Sequence, residues 1–289
     1  MGAADIVPGV SGGTIALLTG IYERLVNAIK SIGLDTLKTL RHEGLASAWK
    51  QIDGSFLFAL VLGIGASILV FSRVIHYLLE TFPVLIWAGF FGLVLASVWF
   101  VTQQMSGWNG KRVLSFLLGL VVAAGVSLSS TAQLEVNSLT LFLCGALAIC
   151  AMILPGISGS FIMLLLGMYS TIIGAIKGFD FAVLSIFAAG CVVGIMTFSR
   201  LLSWVLARYH DATMALLAGF MAGALIKVWP WKEVISYRVN SKGESIPLLD
   251  APVLPWSHPE PYTVWAFILM FLSCAGVVYL ERKAKLGEK

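Results

Sequence analysis

The chain has 289 residues, 58% of them hydrophobic and only 12% charged, with a mean hydropathy of +0.92. A water-soluble domain carries about 25% charged residues, so composition excludes an ordinary soluble fold and lipid is the solvent that fits. The net charge of +4 comes with no basic run and no aromatic-basic patch, which argues against a nucleic-acid partner.

In chain order, the first apolar stretch, 2–22, contains Asp5 and is interrupted at Pro8-Gly9. It lacks a basic lead, so it does not read as a cleavable signal peptide. Proline removes a backbone donor and glycine tolerates unusual dihedrals, so a straight helix is excluded here. Broken backbone at membrane depth survives only under protein or water cover, and a re-entrant hairpin is expected. Residues 23–54 mix Arg24, Lys30, Lys38, Arg41 and Lys50 with four acids. Leu25, Ile29, Ile32, Leu37 and Leu40 are spaced for a pair of amphipathic helices lying on the membrane surface.

A membrane span needs about 20 mostly apolar residues. Stretches 56–79, 83–102 and 112–129 meet that test, as do 181–207, 212–229 and 262–280. Between the two groups, 139–176 is apolar but broken at Pro155-Gly156, and it reads as a second re-entrant hairpin. Residues 230–261 hold six prolines and read as a long irregular external loop, with Trp231 and Trp256 as interfacial anchors.

The chain repeats itself. Pro8-Gly9-Val10-Ser11-Gly12-Gly13 aligns on Pro155-Gly156-Ile157-Ser158-Gly159-Ser160, and the match runs on through Gly20/Gly167 and Tyr22/Tyr169. Phe71-Ser72-Arg73 matches Phe198-Ser199-Arg200, and Ala88-Gly89-Phe90 matches Ala218-Gly219-Phe220. The offset falls from 147 to 127 residues across 23–54, which marks an insertion in the first half. Three spans separate the two hairpins, and an odd number puts them on opposite faces. The expected fold is therefore an all-α integral membrane protein of two inverted-topology repeats, 1–138 and 139–289. Each is a re-entrant helical hairpin plus three transmembrane helices, with a site at the midplane. Twelve Lys and Arg fall on one face and five on the other, so the first face, with both termini, reads as cytoplasmic.

Two bases remain inside spans, Arg73 and Arg200, at equivalent positions of the repeats. They either snorkel to the interface or hold an anion. Ser11, Gly12, Gly13 and Thr14, with Ser158, Gly159 and Ser160, open the second arm of each hairpin. Either they form an anion cradle from opposed sides, or the glycines only permit close packing. Arginine suits phosphate, with carboxylate the competing ligand. Asp5, replaced by Met152 in the second copy, is a candidate for proton or sodium coupling or else a local cap. His42, His76, His210 and His258 fall near span ends or in loops and read as solvated. Cys144, Cys150, Cys191 and Cys274 sit in apolar runs with neither disulfide nor metal spacing, and no cofactor motif is present. A small-anion transporter stays open as an alternative. So does an undecaprenyl-pyrophosphate phosphatase, although Gly159 stands where that motif has arginine.

The segment Met1 to Thr14, together with Ile153 to Ser160, resembles the bacterial polyprenyl-phosphate transporters over essentially the whole chain. The resemblance implies a translocase, not an enzyme, that recycles undecaprenyl phosphate from the outer to the cytoplasmic leaflet of the bacterial inner membrane for cell-wall synthesis. It implies that Ser11, Gly12, Gly13, Thr14, Arg73, Ser158, Gly159, Ser160 and Arg200 surround the phosphate. Those relatives have a longer apolar lead before the first motif, so the first hairpin arm is expected to be short here.

Overall fold

The computed structural model describes residues 1–5, 11–129, 134–239, 245–259 and 262–287. The first half holds α1 (Gly2–Asp5), α2 (Gly12–Leu18), α3 (Tyr22–Ser31), α4 (Leu34–Glu43), α5 (Leu45–Gln51), α6 (Gly54–Thr81), α7 (Pro83–Gln103) and α8 (Gly110–Leu128). The second holds α9 (Ser138–Ile153), α10 (Gly159–Leu165), α11 (Tyr169–Gly178), α12 (Phe181–Arg208), α13 (His210–Val228), β1 (Lys232–Val239), β2 (Ser245–Pro252) and α14 (Thr263–Gly287). Five described helices, α6, α7, α8, α12 and α13, are long and apolar enough to cross a membrane. The apolar part of α14, Thr263–Tyr279, is shorter. Side chains such as Val61 (66% exposed) and Leu69 (80%) on α6 stand bare on the outside, which lipid tolerates and water does not. This is a multi-pass, almost wholly helical membrane protein.

Capping explains many of the helix starts. Asn109 accepts from the Arg112 amide, Asp180 from those of Ala182 and Val183, and Pro83 opens α7. Asn137 and Thr140 form a reciprocal capping box at α9.

The repeat extends to element boundaries. Tyr22–Ser31 and Tyr169–Gly178 stand at the same offset of 147 residues, while Gly54–Thr81 and Phe181–Arg208 stand at 127. The inserted residues therefore follow Ser31 and carry α4 and α5. Both α2 and α10 end in the same way. Gly20 (φ +71°) and Gly167 (φ +73°) are left-handed, and the amides of Ile21 and Met168 reach back to the carbonyls of Ala16 and Met163 at 3.0 and 2.9 Å. This is the Schellman termination that glycine permits without steric cost. It turns α11 away from α10 by 108°. The expected hairpin 139–176 thus has a second break, which the Gly20/Gly167 match contained but the reading of a single arm overlooked.

Three other expectations are corrected. The 23–54 segment holds three helices and not a pair, and the first lays its apolar face on protein. Leu25 and Val26 of α3 are buried and the helix packs on α12, while Leu37 and Leu40 of α4 stay exposed. The 230–261 segment is not irregular throughout, because β1 and β2 pair antiparallel from Lys232↔Pro252 to Val239↔Ser245. Prolines are tolerated there because a two-stranded ribbon is all edge. Trp231 is no interfacial anchor: it is fully buried among Val84, Ala88 and Ala266, whereas Trp256 is 77% exposed.

The described chain divides into two compact units, each drawing on both halves: Met1–Arg73 with Ala132–Met214, and Val74–Thr131 with Ala215–Lys289. In the first unit, α9 and α12 approach so closely that a Cβ at Gly145 would strike the Phe187 carbonyl, and one at Gly190 the Phe142 carbonyl. In the second unit, α7 packs on α14 and α8 on α13, with Gly119 against the Leu216 carbonyl. Without a hydrophobic drive between helices in lipid, such close backbone approach is what holds them.

Candidate functional site

The two serine-glycine motifs meet inside the first unit. Ser11 Oγ donates to the Leu154 carbonyl at 3.2 Å and accepts from the Gly13 amide at 3.1 Å. Thr14 Oγ1 accepts from the Gly156 amide at 3.2 Å. Gly13 lies so near the α9–α10 break that a Cβ there would sit 2.7 Å from the Ile153 carbonyl. The first motif thus donates to the Leu154 carbonyl and accepts from the Gly156 amide, on either side of Pro155. Pro8, Gly9 and Val10 lie outside the described residues.

Asp5 closes the start of α2 by accepting from the Gly12 amide through Oδ1 at 2.7 Å. A side chain on Gly12 would run into that carboxylate. The second copy has no such plug, since Met152 stands in the place of Asp5. Ser158 caps α10 only by position, with no side-chain bond to its amides. Its hydroxyl instead lies 2.9 Å from that of Ser160.

A cavity of about 290 Å³ opens here. Its polar wall is Asp5, Ser11, Ser158, Gly159 and Ser160, and its apolar wall is Ala148, Ile149, Met152, Ile157, Met163, Phe187 and Cys191. Burial separates the two copies: Ser11 is 3% and Thr14 1% exposed, whereas Ser158 is half-buried and Ser160 exposed. Of the residues expected in the site, the structure brings Asp5, Ser11, Ser158, Gly159 and Ser160 to the cavity wall. Gly12, Gly13 and Thr14 stand behind it as braces.

The two arginines are elsewhere. Neither Arg73 nor Arg200 is among the described residues of the wall, and both are exposed. Nine residues separate Cys191, on the cavity wall, from Arg200 on the same helix. That is two and a half turns and about 13 Å of rise, which places Arg200 on the opposite side of α12. Its Nη1 donates to the Met196 carbonyl at 2.9 Å and its Nη2 lies against Gly33.

The apolar wall was missed in the sequence because Met152, Met163 and Phe187 are indistinguishable from lipid-facing residues. Also unforeseen, His210 lies between Glu23 (3.0 Å) and Asp211 (3.3 Å), tying α3 to the start of α13. Among the described residues no group of three or more His, Cys, Asp or Glu could hold a metal, and the four cysteines are free. The chemistry on offer is hydroxyl and amide donors facing an apolar wall. That combination suits an amphiphile with an anionic head.

Comparison with known proteins follows the same line. A polyprenyl-phosphate transporter of Vibrio cholerae is 46% identical over 99% of this chain and 94% of its own length. A polyprenyl-phosphate transporter of Staphylococcus aureus is 30% identical, over 80% of this chain and 83% of its own. No solved structure matches. Residues 1–246 match the family described as VCA0040-like, undecaprenyl phosphate translocase-like. With that match over most of its length, and with relatives this similar, the chain belongs to the undecaprenyl phosphate translocase-like family.

Proposed function

We propose that this protein carries polyprenyl phosphate, in the first instance undecaprenyl phosphate, from the outer to the cytoplasmic leaflet. The observation that carries the reading is the meeting of both serine-glycine motifs at one cavity that joins hydroxyl donors to an apolar wall. The phosphate accepts from Ser158 Oγ, Ser160 Oγ and the open amides at Gly159 and Ser160, while Met152, Met163 and Phe187 cover the first isoprene units. Ser11, Gly12, Gly13 and Thr14 hold the break in shape from behind. Binding by short, neutral donors keeps the head exchangeable, which transport requires.

The two halves, 1–138 and 139–289, act as inverted repeats about this site, with both termini cytoplasmic. The crosswise packing of α7 on α14 and α8 on α13 supports that symmetry, since each pair joins one helix of each half. Alternating access then presents the cavity to one leaflet and the other in turn. Asp5 is the coupling group: a phosphate entering beside its carboxylate is repelled until a proton or sodium ion compensates the charge. Transport rather than hydrolysis fits the names of the family and of both relatives.

The test is a leaflet assay in proteoliposomes, where polyprenyl phosphate reaching the outer surface is counted by an added phosphatase. The parent should exchange the lipid within minutes, and Ser158→Ala with Ser160→Ala should slow exchange at least tenfold, roughly 1.4 kcal/mol. Parent liposomes no faster than protein-free ones would overturn the reading.

A further inference from the structure

Away from the cavity, a second polar cluster lies where α3 rests on α12. Lys30 Nζ donates to Ser203 Oγ at 3.1 Å, and that hydroxyl donates to Asn27 Oδ1 at 2.8 Å. Ser203 is nearly buried, at 6% exposure, so the seam fixes the direction of the lysine. One turn earlier on the same helix stands Arg200, and residues three apart on a helix have Cβ atoms about 5–6 Å apart. Its Nη2 lies so close to Gly33 that a Cβ there would sit 2.6 Å away. The guanidinium takes the space that a side chain at residue 33 would fill, which holds it beside the start of α4.

Neither cation has a carboxylate partner among the described residues. The nearby acids are otherwise engaged: Asp35 with Lys38 at 3.2 Å, Asp53 with Arg24 at 2.6 Å and Glu23 with His210 at 3.0 Å. The setting makes two unpaired like charges costly. Leu201 and Trp204, next to Arg200 on α12, are 54% and 56% exposed, as a lipid-facing surface is. An anion with several oxygens resolves both problems at once. The planar fork of arginine takes two oxygens and the ammonium a third, a match to tetrahedral phosphate rather than to a carboxylate.

We propose that Lys30 and Arg200 form a second anion site that takes a phosphate monoester head, separate from the cavity. It rests on the transport reading only for the identity of the lipid. On that reading it is a station where the head waits before entering the cavity or after leaving it. The same contacts would hold free inorganic phosphate.

The experiment counts phosphate lipids bound to the purified full-length chain by native mass spectrometry, with a short polyprenyl phosphate as probe and inorganic phosphate as competitor. Two bound equivalents are expected for the parent. Lys30→Gln with Arg200→Gln should lose one of them, with at least a tenfold weaker second affinity. Gly33→Asp should do the same while keeping both cations in the chain, because its Cβ would displace Nη2 and its carboxylate would pair with the guanidinium. Ser158→Ala with Ser160→Ala should lose only the other equivalent. Displacement of the seam equivalent by inorganic phosphate assigns the site to phosphate as such, and resistance to it assigns the site to the lipid-borne head. One equivalent lost only in the serine variant would sink the seam and keep the cavity. One lost only in the seam variants would sink the cavity and keep the seam. Two equivalents retained in both seam variants, or none in the parent, overturns the proposal.

Discussion

The first motif copy, Ser11 to Thr14, and the second, Ser158 to Phe161, share a pattern but not an environment. Ser11 and Thr14 are buried and spend their hydroxyls on Leu154 and Gly156, in the other copy. Ser158 and Ser160 spend theirs on each other and face the cavity. The difference follows from neighbouring residues. Asp5 closes the amide of Gly12, whereas Met152 leaves the start of α10 open. Of two copies alike in sequence, one mainly braces the helix break and the other faces the cavity. A repeated motif is therefore weak evidence for two equal half-sites.

That contrast can be broken from either side. The largest effect is expected at Gly13, where a Cβ would lie 2.7 Å from a backbone carbonyl that cannot rotate away. Gly13→Ala should destabilise the fold by about 2–3 kcal/mol through overpacking, seen as a lower Tm in detergent. Thr14→Val comes next. It strips the acceptor from the Gly156 amide and should cost about 1–2 kcal/mol, while Ser158→Ala should leave Tm within about 0.5 kcal/mol of the parent. Equal losses of Tm in these two variants would erase the division between brace and wall. The smallest effect concerns what the copies still share. Gly20→Ala and Gly167→Ala should each cost about 1 kcal/mol, because both residues hold the same left-handed dihedral. Unequal costs would show that the terminations have diverged as well.

Much of this was legible in the residues. Low charge and long apolar runs fixed the solvent, Pro155-Gly156 marked a broken helix, and two offsets located the insertion. The motif also identified the family. The arginines were not placed so well. Their equivalence in the repeats said nothing about the direction in which each points, and nine residues along α12 carry Arg200 to the far side from Cys191. Gly20 and Gly167 were matched but not recognised as stops, because a glycine in an apolar membrane run is equally at home in a helix–helix contact.

What the sequence determined by itself was the solvent, the internal repeat, the family and the break at Pro155-Gly156. These depend on composition and on local backbone chemistry. Tertiary structure alone decided that α3 is packed and α4 exposed, that Trp231 is buried and Trp256 is not, and that the second motif copy stands more exposed at the cavity than the first. The reason is physical. In lipid, a residue facing protein and a residue facing acyl chains are equally apolar, so the periodicity that separates inside from outside in water fades. Which face meets a neighbour is then set by close backbone packing and by a few polar contacts between segments far apart in the chain.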